Sequence, residues 1–109
     1  MKFKEFGSTG MTVSEIGFGG SRIGGVFADK NSTNESLTVL RKALDAGITF
    51  YDTADMYSQG ESESLIGTAF RGNRDKVIIA TKGGYTLPAR RNFIKRINPL
   101  CDRLFKRWA

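Results

Sequence analysis

The 109-residue sequence predicts an α/β fold in which a β-hairpin precedes a parallel sheet. Three short apolar segments end at Gly19, Asp52 and Lys82, at intervals of 33 and 30 residues. Each interval contains a loop and then a segment whose apolar residues recur at helical spacing. A repeated strand and helix unit of this length is typical of parallel strands joined by right-handed crossovers.

The N-terminal segment predicts a hairpin and a first strand. Alternating apolar and polar residues occur in KFKEF and MTVSEIGFGG, on either side of the turn sequence GSTG. The strand is expected to end near Gly19, where the glycine-rich loop GGSRIGGVFADK begins.

The first predicted helix follows that loop. Ser32, with Glu35 three residues later, predicts an N-terminal capping box, and Gly47 predicts the C-terminal cap. Between them, leucines recur at helical spacing, at positions Leu37, Leu40 and Leu44.

The second unit begins with ITFYD, a short apolar run that predicts a strand buried on both faces and ending at Asp52. Ser58 and Glu61 predict a second capping box, and the helix should stop near Gly72. Its apolar positions are Leu65, Ile66, Ala69 and Phe70. A third buried strand is predicted at VIIAT, closing at Lys82.

The net charge of +6 comes from the C-terminal segment. Residues 1–85 contain ten basic and ten acidic side chains, whereas residues 86–109 contain seven basic side chains and one acidic. Asn98 and Pro99 predict a helix start there, beside an apolar stripe that includes Trp108. We therefore divide the chain into a body, residues 1–85, and a basic amphipathic helical tail, residues 86–109.

This tail allows two interpretations. It could bind a membrane surface or nucleic acid as part of a non-catalytic module, but it carries few aromatic residues and no recognition motif. The ordinary alternative is a helical insertion whose basic side chains face solvent and whose stripe packs on further protein. The balanced charge of the body disfavours an anionic polymer as partner.

Composition excludes several other classes. The chain has no histidine and a lone Cys101, which disfavours a zinc site and precludes an internal disulfide. It has no signal-peptide core and no apolar run near the ~20 residues that span a bilayer. We expect a cytoplasmic protein without a metal.

The first loop helps to choose between two α/β architectures. A dinucleotide fingerprint needs glycines at its first, third and sixth positions, but counting from Gly17 and Gly19 the sixth is Arg22. The alternative is a (β/α)₈ barrel, whose active site gathers residues at the carboxyl ends of the strands. Asp52 and Lys82 occupy such ends on adjacent strands, ~4.8 Å apart in a sheet.

These strand ends permit acid catalysis. Tyr57 lies in the loop after Asp52, close enough to fold back over Asp52 and Lys82. An adjacent ammonium favours the ionised form of a phenol, so such a phenol can give a proton to an oxygen that becomes alkoxide-like during carbonyl reduction. The alternative is that Asp52 and Lys82 form a structural ion pair and Tyr57 only packs.

A family resemblance bears on this choice. The segment DTADMYSQGESESLIGTAF resembles the aldo-keto reductase signature, in which strand two ends in Asp-Thr-Ala, Tyr follows five residues after the Asp, and Gly-Xaa-Ser/Asn-Glu opens helix two. GFGGSRIGG resembles the strand-one exit of the family, and VIIATKGG resembles its third strand with the catalytic lysine. The resemblance covers about residues 1–85.

The resemblance implies an NADPH-dependent oxidoreductase that interconverts small-molecule carbonyls and alcohols on a (β/α)₈ TIM barrel. Asp52, Tyr57 and Lys82 match three of the four catalytic residues, with Tyr57 as the proton donor. The cofactor-binding positions that match are Gly20, Ser21, Arg22 and Asp52. At Gly20 the missing side chain would also let the backbone approach a flat ring.

The chain departs from the family pattern in two respects. The fourth catalytic residue is a histidine, which this chain lacks, and 109 residues supply the hairpin and only about three βα units of a barrel that takes ~250. Most of the cofactor site would lie on strands beyond these. An incomplete barrel leaves exposed sheet edges, so we expect self-association and no reductase activity from this chain alone.

Overall fold

The computed structural model describes residues 1–24 and 30–84, the side chains of 30–32 excepted. The elements in chain order are β1 (Phe3–Glu5), β2 (Thr12–Ser14), β3 (Gly17–Gly19), α1 (Lys30–Asp45), β4 (Phe50–Asp52), α2 (Glu61–Ala69) and β5 (Ile78–Ala80). Short 3₁₀ turns are formed by Gly20–Arg22 and Arg74–Lys76, and a turn with left-handed residues is formed by Tyr57–Gly60. Among the described residues, no helix is long and apolar enough to cross a membrane.

The N-terminal hairpin has the predicted form. Strands β1 and β2 pair antiparallel, and the backbone of Phe6 donates to Met11 across the turn at 2.8 Å. The hairpin is tied to the start of β4, because the amide of Ser14 donates to Thr49 Oγ1 and the amide of Thr49 donates to Ser14 Oγ, both at 3.0 Å. This reciprocal pair places the hairpin at the amino ends of the parallel strands.

The main sheet confirms the predicted parallel arrangement. Its strand order is β3–β4–β5, and both pairings are parallel. The register aligns Gly19, Asp52 and Ala80 across the three strands. The carboxyl ends of the strands therefore meet at one edge, as the spacing of the apolar segments indicated.

Among the described residues, helices cover only one face of this sheet. Tyr51 is fully buried, and Phe18 and Ile79 beside it pack on the same core. The buried members of that core are Ile23, Leu40, Ala43, Tyr51, Leu65, Ile66, Ala69, Phe70 and Val77. On the opposite face Phe50 and Ile78 are only half-buried. The expectation of strands buried on both faces is thus wrong for the described residues, because both helices pack on the same side.

Both predicted capping boxes are wrong. Helix α1 already begins at Lys30, so Ser32 lies inside it. Helix α2 begins at Glu61 after Gly60, whose left-handed conformation (φ 83°) starts the helix without a side-chain cap. The hydroxyl of Ser58 donates instead to the backbone oxygen of Ile23, at 2.9 Å.

The predicted end of α1 is confirmed. The amide of Gly47 donates to the oxygen of Leu44 at 2.8 Å, and the amide of Ile48 donates to that of Ala43 at 3.0 Å. This is a Schellman motif, which requires a left-handed residue, and Gly47 has φ 91°. The predicted tail, residues 86–109, and its Cys101 lie outside the described residues.

Candidate active site

The candidate site lies beyond the carboxyl ends of β4 and β5. Backbone pairing continues past both strands, since the amide of Thr53 donates to Ala80 at 2.8 Å and the amide of Asp55 donates to Lys82 at 3.1 Å. The loop after β4 therefore runs beside the segment that carries Lys82. This extension brings the ammonium of Lys82 next to Asp52.

Lys82 is the centre of the cluster. Its Nζ donates to both carboxylate oxygens of Asp52, at 2.7 and 2.9 Å, and to the backbone oxygen of Thr53 at 3.0 Å. It also lies 3.3 Å from Tyr57 Oη and 4.9 Å from the centroid of that ring. The structure thus brings together Asp52 and Lys82, which the sequence places at neighbouring strand ends, and Tyr57 from the loop after Asp52.

The charges within this cluster support one another. The pKa of Lys82 is raised, chiefly by its hydrogen bond to Asp52; partial desolvation opposes the rise, and the contact with Tyr57 adds to it. The side chains of Lys82 and Asp52 are 53% and 41% exposed. Exposed ion pairs contribute little to stability. A purely structural role for this ion pair would therefore add little to the stability of the fold.

The turn that carries Tyr57 has an unusual backbone. Ser58 (φ 47°, ψ 37°) and Gln59 (φ 57°, ψ 38°) are left-handed, and Gly60 follows with φ 83°. The left-handed conformation costs roughly 1–2 kcal/mol for each residue that has a Cβ. Strain of this kind persists where surrounding contacts impose it, commonly at functional sites.

Two buried hydroxyl groups beneath the site were missed by the sequence analysis. Thr53 Oγ1 and Ser62 Oγ lie 2.8 Å apart, and Ser62 also donates to the backbone oxygen of Gly20 at 2.8 Å. Thr53 and Ser62 are 1% and 0% exposed. Both belong to the signature segment quoted above, but only the tertiary contact shows what they bind.

The candidate cofactor residues lie on the turn after β3. Ser21 and Arg22 are exposed, while Gly20 is buried. A Cβ on Gly20 would approach Ser62 Oγ to 2.8 Å and the backbone oxygen of Asp52 to 3.0 Å. Packing against α2 is therefore a physical reason for this glycine, different from the ring approach that we expected. Within residues 1–24 and 30–84, no group of three or more His, Cys, Asp or Glu side chains could hold a metal.

Comparison with known proteins identifies the family. The sequence profile of the Aldo/keto reductase family matches residues 15–106, most of the chain. The chain belongs to the aldo/keto reductase family. This is a family of oxidoreductases, and the match continues through most of the predicted tail.

Individual aldo/keto reductases show the same similarity. The aldo-keto reductase YhdN of Bacillus subtilis (strain 168) is 42% identical over 84 residues, which cover 75% of this chain and 25% of that protein. The holo form of aldo-keto reductase AKR11C1 from Bacillus halodurans has a TM-score of 0.72 at 34% identity, covering 84% of this chain and 29% of that one.

A third relative was solved with a cofactor. The aldo/keto reductase from Klebsiella pneumoniae, in complex with NADP and acetate, has a TM-score of 0.59 at 32% identity, over 68% of this chain and 25% of that one. The chain therefore spans about a quarter of the length of the relatives that it matches.

Proposed function

We propose that this chain contributes the proton-donating part of an NADPH-dependent reductase site for aldehydes and ketones, with Tyr57 as the general acid. The observation that carries the proposal is the contact of Lys82 Nζ with both Tyr57 Oη (3.3 Å) and the carboxylate of Asp52 (2.7 Å). A phenol beside a paired ammonium at the carboxyl end of a parallel sheet is an arrangement suited to acid catalysis.

In this mechanism Tyr57 gives its hydroxyl proton to the carbonyl oxygen of the substrate. The ammonium of Lys82 then stabilises the phenolate that remains, because an adjacent opposite charge favours the ionised form. Asp52 holds Lys82 in its charged state and orients it. When bound, NADPH would supply the hydride for the carbonyl carbon, and Tyr57 would regain a proton taken up from the solvent.

The residues after β3 fit a role beside the nicotinamide end of the cofactor. Ser21 and Arg22 expose a hydroxyl and a guanidinium next to the strand end that carries Asp52. These groups are polar and accessible, which is what binding a polar cofactor requires. Gly20 belongs to the same proposed set. Because it has no side chain, it would contact the cofactor through its backbone. The complex of the Klebsiella relative with NADP supports the choice of cofactor.

The described sheet accounts for the first three strands of the proposed (β/α)₈ barrel. Strands β3 and β5 each pair with β4 only, within the described part of the chain. Within these described residues the outer edges of β3 and β5 pair with no further strand, and open sheet edges promote association with other chains. We therefore also propose self-association, detectable as an apparent mass that rises with concentration in analytical ultracentrifugation.

Replacing the matching segment of the Bacillus subtilis relative with residues of this chain tests the proposed role of Tyr57. We expect the chimera to reduce aldehydes with NADPH, and the substitution Tyr57→Phe to lower kcat by about 100-fold or more. The matched control is Tyr51→Phe, which removes a hydroxyl from the core and not from the site. Equal rates for the Tyr57→Phe and Tyr51→Phe chimeras would contradict the assignment.

The isolated chain should show no turnover, because it contains no histidine and spans a quarter of its relatives. Steady-state NADPH oxidation with a panel of aldehydes tests this expectation. Turnover by the purified chain that Tyr57→Phe abolishes would overturn it.

A further inference from the structure

Two serines connect the turn of Tyr57 to the segment that carries Ser21 and Arg22. Ser58 Oγ donates to the backbone oxygen of Ile23 at 2.9 Å, across 35 residues of sequence. Ser62 Oγ donates to the backbone oxygen of Gly20 at 2.8 Å, across 42 residues. The two bonds therefore hold the 3₁₀ turn Gly20–Arg22 at its first residue and at the residue that follows it.

Close packing reinforces both connections. A Cβ on Gly20 would lie 2.8 Å from Ser62 Oγ, and a Cβ on Gly24 would lie 2.8 Å from Glu61 Cδ. Gly24 has φ 71°, a conformation that glycine adopts at little cost. Gly20 and Gly24 thus touch the start of α2 with no room for a side chain between them.

The hydrogen bond from Ser58 Oγ to the backbone oxygen of Ile23 also explains why the strained turn persists. Ser58 adopts its left-handed conformation with its hydroxyl on Ile23, which is 7% exposed and part of the hydrophobic core. Tyr57, the preceding residue, is fixed in consequence relative to a buried anchor. A flexible loop could not keep its phenol within reach of Lys82 in the same way.

We propose that Ser58 and Ser62 are positioning residues that fix Tyr57 relative to Ser21 and Arg22. The inference rests on the proposed function, because a reductase must deliver a hydride and a proton to adjacent atoms of one carbonyl group. A misplacement of about 1 Å can cost such a reaction on the order of 100-fold in rate. The two serines hold Tyr57 at a fixed position relative to the turn Gly20–Arg22.

Nuclear magnetic resonance of the purified chain, without cofactor, tests the role of Ser58. We expect Ser58→Ala to remove the cross-peak between the Tyr57 ring and the Lys82 side chain, and to shift the amide of Gly24, whose peptide group contains the oxygen of Ile23. Ser58→Gly also removes the hydroxyl but relieves the strain, so it gives the same two results in a chain that folds more readily.

Gln59→Gly is the matched control for Ser58→Ala and Ser58→Gly. It relieves strain at the neighbouring left-handed residue and keeps the backbone bond from residue 59 to Met56. We expect it to raise the denaturant midpoint and to preserve the contact of Tyr57 with Lys82. Preservation of that contact and of the Gly24 amide in both Ser58 variants would overturn the role of Ser58.

Ser62 is tested with Ser64→Ala as control, because Ser64 lies exposed on the same helix. Ser62→Ala should shift the amides of Ser21 and Arg22 and weaken the contact of Tyr57 with Lys82, whereas Ser64→Ala should change neither. A loss of stability alone, with Tyr57 in place, would show that Ser62 has only a structural role. These measurements need no turnover, so a failure of the positioning inference is distinguished from a failure of the proposed function, which the chimera tests.

Discussion

Tyr51 lies on β4 and Tyr57 in the turn that follows this strand, and the surroundings of the two phenols differ. Tyr51 is 0% exposed, its hydroxyl donates to Ile48 at 2.9 Å, and its ring lies 4.6 Å from that of Phe70. Tyr57 is half-buried, and its oxygen accepts a hydrogen bond from Lys82. The comparison teaches that one phenol is held by a core and the other lies beside a cation, although six residues separate them in the chain.

The electrostatics of the core explain the first case. Burial, together with the negative charge of Asp45, raises the pKa of Tyr51 to about 12. The neutral phenol is therefore strongly preferred there, and its hydrogen bond is part of the packing. At the other site a cation adjoins the phenol and a carboxylate orients the cation.

The largest expected difference between the two tyrosines is the loss of stability when each is truncated to alanine. We expect Tyr51→Ala to lower the free energy of unfolding by about 3–5 kcal/mol, because it leaves a cavity among core aromatics. Tyr57→Ala should lower it by less than about 1 kcal/mol, as is usual for substitutions near the surface. Urea denaturation followed by circular dichroism measures both, with Tyr51→Phe as the variant that keeps most of the volume. Equal losses would show that the two tyrosines do not differ as described.

Alkaline pH should weaken the core through Tyr51. A pKa that is higher in the folded chain than in the unfolded chain gives stability that is fully present below pH 10.0 and is lost as the pH rises toward about 12. A shift of about two units corresponds to roughly 3 kcal/mol at most. The measurement is the unfolding free energy at several pH values, taken as the difference between the parent chain and Tyr51→Phe. A difference that stays constant across this range would contradict the assignment.

The smallest expected effects are shifts in titration. Asp52→Asn should lower the pKa of Lys82, because the hydrogen bond that Lys82 donates to Asp52 is the main cause of its rise. That interaction is fully present below the ordinary lysine pKa of 10.5 and is lost as the pH rises through the folded value. The Lys82 side-chain resonances report the titration.

Asp45→Asn is the crossed control for that experiment. It should lower the pKa of Tyr51, since Asp45 contributes to its rise, and leave the Lys82 titration where it is. A lysine titration that responded equally to both aspartate variants would indicate a general effect of net charge instead of the paired contact.

Much of the architecture was predictable because it depends on local patterns. The apolar segments ending at Gly19, Asp52 and Lys82 follow from their composition, and their spacing indicates parallel strands. Since parallel strands present their carboxyl ends at one edge, the meeting of Asp52 with Lys82 followed as well. Gly47 marked a helix end because a left-handed residue was required there.

Other features were not predictable, because they depend on contacts between distant segments. The spacing of Ser58 and Glu61 fits a capping box, but the hydroxyl of Ser58 binds Ile23 and leaves the helix start to Gly60. The two-faced burial expected for ITFYD failed for a similar reason. An apolar run indicates that a strand can be buried, but the placement of the helices decides which face they cover.

The sequence alone predicted the hairpin, the parallel strands and the strand ends that carry Asp52 and Lys82 from local periodicity and spacing. The resemblance of its motifs to those of a known family indicated the aldo/keto reductases. The tertiary structure decided how Tyr57 is held, through a left-handed turn and the bonds of Ser58 and Ser62 to residues 35 and 42 positions away. The physical reason is that a hydroxyl can cap a helix, bind a distant carbonyl or meet water at similar energy. Only the packing of the whole sheet selects one partner.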